Sequence, residues 1–275
     1  MTPSIPSTLP NSTQSVGDYE YRGLIAANWD VMRPNAARWP DVAFYKEIIL
    51  SSGEPALDVG CATGRLVLAY RAEGLDVDGV DVSPEMLEVC RAKAREQGIS
   101  ANLYEQRMET LDLPRRYRTI VVSSSTFQLL TDPAQAREGL RRFYQHLEPN
   151  GTLVMSLMLL YNGSDPGPIV REEWSQPREH ARPSDGAVVR RRSRSTYDLE
   201  QQLESTEDHY EVVLDGQVVA SELHAQSPAT RWHTQEQSIE LLREAGFTDI
   251  RLTSGFTQAP AKPDDALWCA IAVRR

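Results

Sequence analysis

Two features of the sequence could do chemistry together. The first is the run Ala56-Leu57-Asp58-Val59-Gly60-Cys61-Ala62-Thr63-Gly64. A short apolar stretch enters a loop with two glycines four apart, and helix-forming residues follow. Glycine permits positive φ and lets a ligand approach the backbone closely. The start of a helix adds unpaired N–H groups and partial positive charge. Turns of this kind bind nucleotide-type ligands at the C-terminal edge of a parallel sheet. The second feature is Asp81, 21 residues after Gly60 at the end of the next apolar run. An acid at that spacing accepts hydrogen bonds from ribose hydroxyls. A capping role at a helix start would account for Asp81 alone; its pairing with the loop points to a ribose-bearing ligand. A dinucleotide would call for G-x-G-x-x-G, which leaves room for a pyrophosphate, and that triplet is missing. Asp58 stands in front of the glycines instead. A carboxylate there repels a pyrophosphate and suits an ammonium group.

Other side chains could face a substrate. His224 and His233 are candidate bases, with His209 behind them, although a lone histidine is more often structural. Val188–Thr196 reads V-V-R-R-R-S-R-S-T. On a strand, Arg190, Arg192 and Arg194 share one face and Arg191 takes the other. That face is either solvated or an anion-recognising wall, with Arg192 and Arg194 as candidate substrate contacts. The stretch containing Tyr19, Tyr21, Trp29, Trp39, Phe44 and Tyr45 is rich in aromatic residues. It reads either as core-packing helices or as a lid. Cys61, Cys90 and Cys269 are too few and scattered for a zinc site or a disulfide framework, so no metal is expected.

The elements that must position these residues alternate. Strands are expected at Ala56–Val59, Val77–Val82, Asn102–Glu105, Thr119–Ser123 and Thr152–Leu160. Helices are expected at Arg65–Ala72, Pro84–Gln97 and from Asp132-Pro133 to about Leu147, the last ended by Pro149-Asn150-Gly151. Repeated βα units with short apolar strands imply a parallel sheet covered on both faces, an α/β fold. After Tyr161 the pattern breaks. Val188–Tyr197 and His209–Val213 read as strands, and Asp215-Gly216 as a hairpin turn. Thr234 caps a further helix to about Ala245, and Thr248–Thr253 and Leu267–Val273 close the sheet. The expected organisation is a loose tail at 1–17, a helical lid at 18–50, a core at 51–161 and 231–275, and a mainly antiparallel β cap inserted at 162–230.

Composition narrows the field. The chain has 275 residues and a net charge of −10, which disfavours a broad nucleic-acid face. Its longest apolar run, Leu153–Tyr161, is far short of the ~20 residues that cross a bilayer. No Lys or Arg precedes Arg22 and no apolar segment follows the start, so a secretory signal is not expected. A cytoplasmic protein acting on a small molecule, without nucleic acid or membrane, is the reading. A homodimer is compatible with it.

The segments LDVGCATGRL and VDGVDVSPEMLEVCRAKA resemble the first two motifs of class I S-adenosylmethionine-dependent methyltransferases of the small-molecule type. VVSSSTFQLL, LRRFYQHLEPNGTLVMSL and RWHTQEQSIELLREAGFTDI resemble later pieces of the same family. The resemblance covers about residues 40–275. It implies a Rossmann-like, doubly wound seven-stranded sheet with its last strand antiparallel, S-adenosyl-L-methionine as cofactor and S-adenosyl-L-homocysteine as product. It places Asp58, Gly60, Cys61, Ala62 and Gly64 along the methionine part, and Asp81 at the ribose. It sets Val82 and Met86 against the adenine, with Arg107 and Met108 nearby. Ser123 and Ser124 fall beside the sulfonium, Trp29 over the cofactor and Tyr45 near the substrate. Arg107 departs from the family's usual acid. Ala62 stands where many members have glycine, and is expected to fit only at negative φ. The implied reaction is transfer of a methyl group to nitrogen or oxygen of an amino acid, an amino sugar or a natural product. The alternatives are a non-catalytic relative that retains the fold, and a nicotinamide-dependent oxidoreductase, which Asp58 disfavours.

Overall fold

A computed structural model describes residues 21–163 and 167–275. The expected tail at 1–17 lies outside the described residues. Two helices open the chain, α1 (Gly23–Ala27) and α2 (Pro40–Ser52). Then come β1 (Ala56–Val59), α3 (Val67–Ala72), β2 (Val77–Asp81), α4 (Pro84–Gln97), β3 (Leu103–Glu105), β4 (Tyr117–Val122), α5 (Pro133–His146) and β5 (Leu147–Met158). A second set of strands follows: β6 (Ile169–Arg171), β7 (Arg178–Ala181), β8 (Val188–Asp198), β9 (Leu203–Leu214) and β10 (Gln217–Arg231). Helix α6 (Gln235–Glu244), β11 (Thr248–Ser254) and β12 (Leu267–Val273) complete the chain.

The main sheet has seven strands in the order β11-β12-β5-β4-β1-β2-β3, with β12 antiparallel to both neighbours. The other pairs are parallel. The fold is α/β and Rossmann-like. Its central strands read as unbroken apolar runs because both faces are covered. Leu57, Val59, Ile120 and Val122 pack toward α5 and α6, with Leu140, Phe143 and Leu242. Ala56 and Val121 pack on the opposite face, where Phe44, Ile48 and Ile49 of α2 meet Val67 and Leu68 of α3.

Helix starts follow local chemistry. Ser83 accepts from the Met86 N–H at 3.1 Å ahead of Pro84, and Asp132 accepts from Ala134 N at 2.6 Å ahead of Pro133. Thr234 and Gln237 form a capping box. The second sheet is antiparallel, β10-β9-β8-β6 with β7 also on β8. Its β9–β10 hairpin turns at Asp215 (φ +50) and Gly216 (φ +76), the double left-handed geometry of a type I′ turn.

Two expectations need correction. Pro149-Asn150-Gly151 does not separate α5 from a later strand: β5 already begins at Leu147. Leu147 is fully buried and paired with Tyr117, and Asn150 at φ +62 absorbs the kink inside the strand. Strand β9 begins six residues before His209. Its polar start shows no apolar alternation because its charges pair across the sheet, Glu207 with Arg194 and Asp208 with Arg191. Among the described residues, no helix is long and apolar enough to cross a membrane, and no cluster of His, Cys, Asp and Glu could hold a metal ion.

The loop after β1 is the strained part of the core. Gly60 (φ +71) lies so close to Thr126 that a Cβ would sit 2.5 Å from its Cγ2. At Gly64 (φ +90) a Cβ would sit 2.6 Å from Cys90 Sγ. Ala62 stands at φ +47, against the expectation of negative φ. Its N–H must point at Asp81 Oδ2, 2.9 Å away, and that bond holds the residue in the left-handed region. The conformation costs an L-residue about 1 kcal/mol. Ala62→Gly is therefore expected to raise stability by about 1 kcal/mol, opposite in sign to the usual effect of that change. Thermal unfolding checks this; a lowered Tm would contradict it.

At the other end of β2, the fully buried Asp78 joins three strands. It accepts from Asn102 Nδ2 and Tyr117 OH, each at 3.0 Å, with Arg115 Nε 3.1 Å away. Asp78→Ala strands these donors without an acceptor and is expected to cost about 3 kcal/mol in urea unfolding.

Candidate functional site

A cleft of about 1300 Å³ opens at the C-terminal ends of β1, β2 and β4. That exceeds the ~300–1,000 Å³ of a typical single-ligand pocket, so it has room for two ligands. Asp58, Gly60, Cys61, Ala62 and Gly64 line one wall, Asp81 and Val82 the next. Arg107, Met108, Ser123 and Ser124 also line it, as does Trp29 of the N-terminal segment.

Asp58 is the most constrained group. It sits at the end of β1, 2% exposed. Its Oδ2 accepts from Val67 N at 3.2 Å, and its Oδ1 has no partner. Burial pushes its carboxyl up to about 7, opposed first by Arg65. Asp81 is also buried. Its oxygens accept from Ser83 N (2.8 Å) and Ala62 N (2.9 Å). Burial raises its pKa, and those N–H groups partly offset the rise. The two acids thus flank the glycine loop from adjacent strands. The unpartnered Oδ1 of Asp58 is an acceptor for an ammonium. Each Asp81 oxygen keeps further lone pairs for hydroxyl donors. The donors and acceptors present fit S-adenosylmethionine.

Two residues of the wall, Arg65 and Glu109, carried no signal in the sequence. Arg65 makes a bidentate pair with Asp41 of α2 at 2.6 and 2.9 Å, and reaches Ser124 at 3.4 Å. Asp30 accepts from Thr63 Oγ1 at 2.7 Å and Lys93 Nζ at 3.0 Å, which fastens the N-terminal segment to the loop and α4. Glu109 lies in the same wall as Arg107, with its carboxylate 3.6 Å from the guanidinium. An acid therefore stands two residues beyond the position where the resemblance implies one. Only the proximity of Glu109 to Arg107 in the sequence could have indicated this.

Other candidates are placed elsewhere. Met86 does not reach the cleft; it is fully buried with Ile25, Ala26, Val189 and Tyr210 beneath the lid. Tyr45 is fully enclosed between Phe44 and Phe256, so it cannot touch a substrate. Arg192 and Arg194 face away from the cleft wall. Arg194 pairs with Glu207 at 2.5 Å, and Arg192 reaches toward His209 at 3.4 Å, both beside Trp174. His209 bonds Ser221 at 2.9 Å on that same face. His224 is held by Glu222 at 2.9 Å. His233 is buried, with Nε2 unpartnered, and burial together with Arg231 lowers it to about 4, so it is neutral at pH 7. Neither His224 nor His233 lines the cleft.

Residues 56–151 match the methyltransferase domain family. A putative methyltransferase of Geobacillus sp. is 30% identical over 105 residues, 38% of this chain and 42% of that protein. The match thus spans less than half of that relative. Among solved structures, the CcbJ methyltransferase of Streptomyces caelestis superposes with a TM-score of 0.71 at 19% identity, covering 90% of this chain and 95% of that one. A sugar N-methyltransferase of Streptoalloteichus sp. superposes with a TM-score of 0.66 at 21% identity, over 98% and 100% of the two chains. Residues 56–151 thus match a methyltransferase domain, and the chain has the fold of the solved S-adenosylmethionine-dependent methyltransferases.

Proposed function

We propose that the protein transfers a methyl group from S-adenosylmethionine to a nitrogen or oxygen atom of a small molecule, in the class of amino acids, amino sugars or natural products. The observation that carries this reading is the Asp58–Asp81 pair: one orphaned buried carboxylate oxygen and one buried acid held by backbone N–H groups, on adjacent strand ends around one glycine loop. Asp58 would hold the ammonium and Asp81 the ribose hydroxyls. Val82, Met108 and Glu109 would border the adenine, and Gly60, Cys61, Ala62 and Gly64 would run along the methionine chain. Ser123 and Ser124 would face the sulfonium, with Trp29 above. When bound, the cofactor supplies an already activated methyl group, so the protein's task is alignment and exclusion of water.

The described cleft wall contains no histidine. That favours a nucleophile that needs no strong base, such as a neutral amine. Two structural neighbours, an amino pentose methyltransferase and a sugar N-methyltransferase, lend the same support. The remaining volume of the cleft suits a compact acceptor rather than a polymer. The net charge of −10 adds to the case against nucleic acid. Buried, unbonded thiols suit a reducing cytoplasm. Arg107 favours the second reading, a relative that binds the cofactor without transfer. Substrate-dependent formation of S-adenosylhomocysteine decides between them, with a panel of amines, phenols and acids as acceptors.

Calorimetry with S-adenosylhomocysteine tests the site itself. Asp81→Ala is expected to weaken binding by about tenfold or more, as loss of hydrogen bonds to a charged group does. Unchanged affinity would remove the ribose assignment. Asp58 carries a pH signature. With its carboxyl near 7 in the free protein, the ammonium-binding form grows as pH rises, and affinity is expected to increase about fivefold from pH 6 to 7. Asp58→Asn should flatten that slope. The same shift makes the ligand-free fold lose stability as pH rises from the unfolded carboxyl range through 7, because the unfolded chain releases this proton first.

A further inference from the structure

Where the lid meets the cap, the cleft holds a cation that the cofactor reading does not use. Arg33 lines the cleft. Its guanidinium lies 3.2 Å from the Trp29 ring centroid, and its Nη1 reaches only the Trp29 carbonyl, at 3.5 Å. Among the described residues it has no carboxylate partner within ion-pair distance. Its charged and phenolic neighbours are Tyr21, Tyr210, Arg191 and Asp208. Arg191 comes from the inner face of β8, the face opposite Arg190, Arg192 and Arg194. It bonds Asp208 at 2.7 Å and lies 5.7 Å over the Tyr210 ring. Glu222, cross-strand from Tyr210, is engaged by Leu24 N at 2.7 Å and by His224. Asp208 is thus committed to Arg191, and burial pulls the Arg33 guanidinium below its ordinary value. A partly buried cation without a counter-ion is costly unless a ligand supplies one.

We propose that Arg33, supported by Arg191, is an anion subsite that receives a carboxylate or phosphate group of the methyl acceptor. This rests on the methyl-transfer reading and deepens it. The cofactor's own carboxylate is the other anion to consider. The largest charged influences on Asp58, at the methionine end, are Arg65, Asp81 and Asp41. Arg65, beside Gly64 and within reach of Ser124, is the cation at that end. Arg33 is the cation of the cap end. An acceptor anchored there by its acidic group would extend across the roof of the cleft toward Ser123 and Ser124.

Acetate and inorganic phosphate are the probes, titrated calorimetrically into protein loaded with S-adenosylhomocysteine and into free protein. Arg33→Met keeps the side-chain bulk on Trp29 and removes the charge, and Arg33→Lys restores the charge without the fork; circular dichroism confirms that both are folded. The expected result is saturable binding of one probe that weakens about tenfold or more in Arg33→Met and partly recovers in Arg33→Lys. Affinity for S-adenosylhomocysteine should change by less than about threefold, a reach of under ~1 kcal/mol. Whichever probe binds more tightly tells carboxylate from phosphate. Equal anion binding by wild type and Arg33→Met, or no binding to wild type, overturns the proposal. So does a parallel tenfold loss of S-adenosylhomocysteine affinity, about 1.4 kcal/mol, which would put the guanidinium on the cofactor instead. Failure of the wild type to bind S-adenosylhomocysteine would remove the methyl-transfer reading, while the titration of free protein would still judge the subsite.

Discussion

A carboxylate closed off from water with one oxygen unused is an expensive object, and the architecture is arranged around Asp58. The strand that carries it is covered on both faces, so the side chain cannot reach solvent. One oxygen is satisfied by the first turn of α3, and that bond fixes where the helix starts. The loop between them has to turn within a few residues, which forces positive φ at Gly60, Ala62 and Gly64. The N–H of Ala62 is thereby aimed at Asp81 on the neighbouring strand. One desolvated acid thus sets the loop, the helix start and the position of the second acid. Its raised pKa is the electrostatic measure of what remains unsatisfied.

The cleft is polarised along its length. At the glycine loop the charges are mostly acidic, and the nearby Arg65 is largely neutralised by its bidentate pair with Asp41. At the cap end the balance reverses, with Arg33 and Arg191 against Asp208. Such an arrangement orients a ligand pair before any contact is optimised, because a cationic group and an anionic group are drawn to opposite ends. The cap also explains why arginine-rich β8 was ambiguous. Period-two alternation sends three arginines outward, where Glu211, His209 and Glu207 meet them, and one inward beneath the cap.

The core was readable because its signals are local. Apolar strands, Ser83-Pro84, Asp132-Pro133, Asp215-Gly216 and the glycine loop each specify their own geometry, and the structure has the elements where these signals fall. What the sequence could not supply is which non-local groups meet. Tyr45 and Met86 look like ligand contacts by position, yet both are consumed by packing. Glu109 and Arg65 enter the cleft wall through a turn and a helix start, and neither has a motif of its own. Arg33 is one of two arginines between Trp29 and Trp39. Nothing in its neighbourhood of the chain predicts that β8 and β9, more than 150 residues later, will surround it. Ala62 shows the same limit at one residue: its sign of φ is decided by an acid 19 positions away.

The N-terminal segment ahead of α2 is tied to both sheets. It is fastened to the core through Asp30, and through Tyr21 O, which accepts from Ser83 Oγ at 2.6 Å. It is fastened to the cap through Leu24 N on Glu222 and Asn28 on Arg182 at 3.2 Å. Each tie is a single hydrogen bond or a partly exposed ion pair, with a net contribution of about 1 kcal/mol or less. The sheet beneath is held by fully buried side chains such as Leu57, Ile120 and Leu153, whose loss would cost several times more per residue. Buried Ile25 and Ala26 add apolar contact with Met86, Val189 and Tyr210 to these ties. Because the ties run to both the core and the cap, Trp29 and Arg33 are held against the cleft by one segment. The ends proposed for the cofactor and for the acceptor are thus bordered by the same stretch of chain.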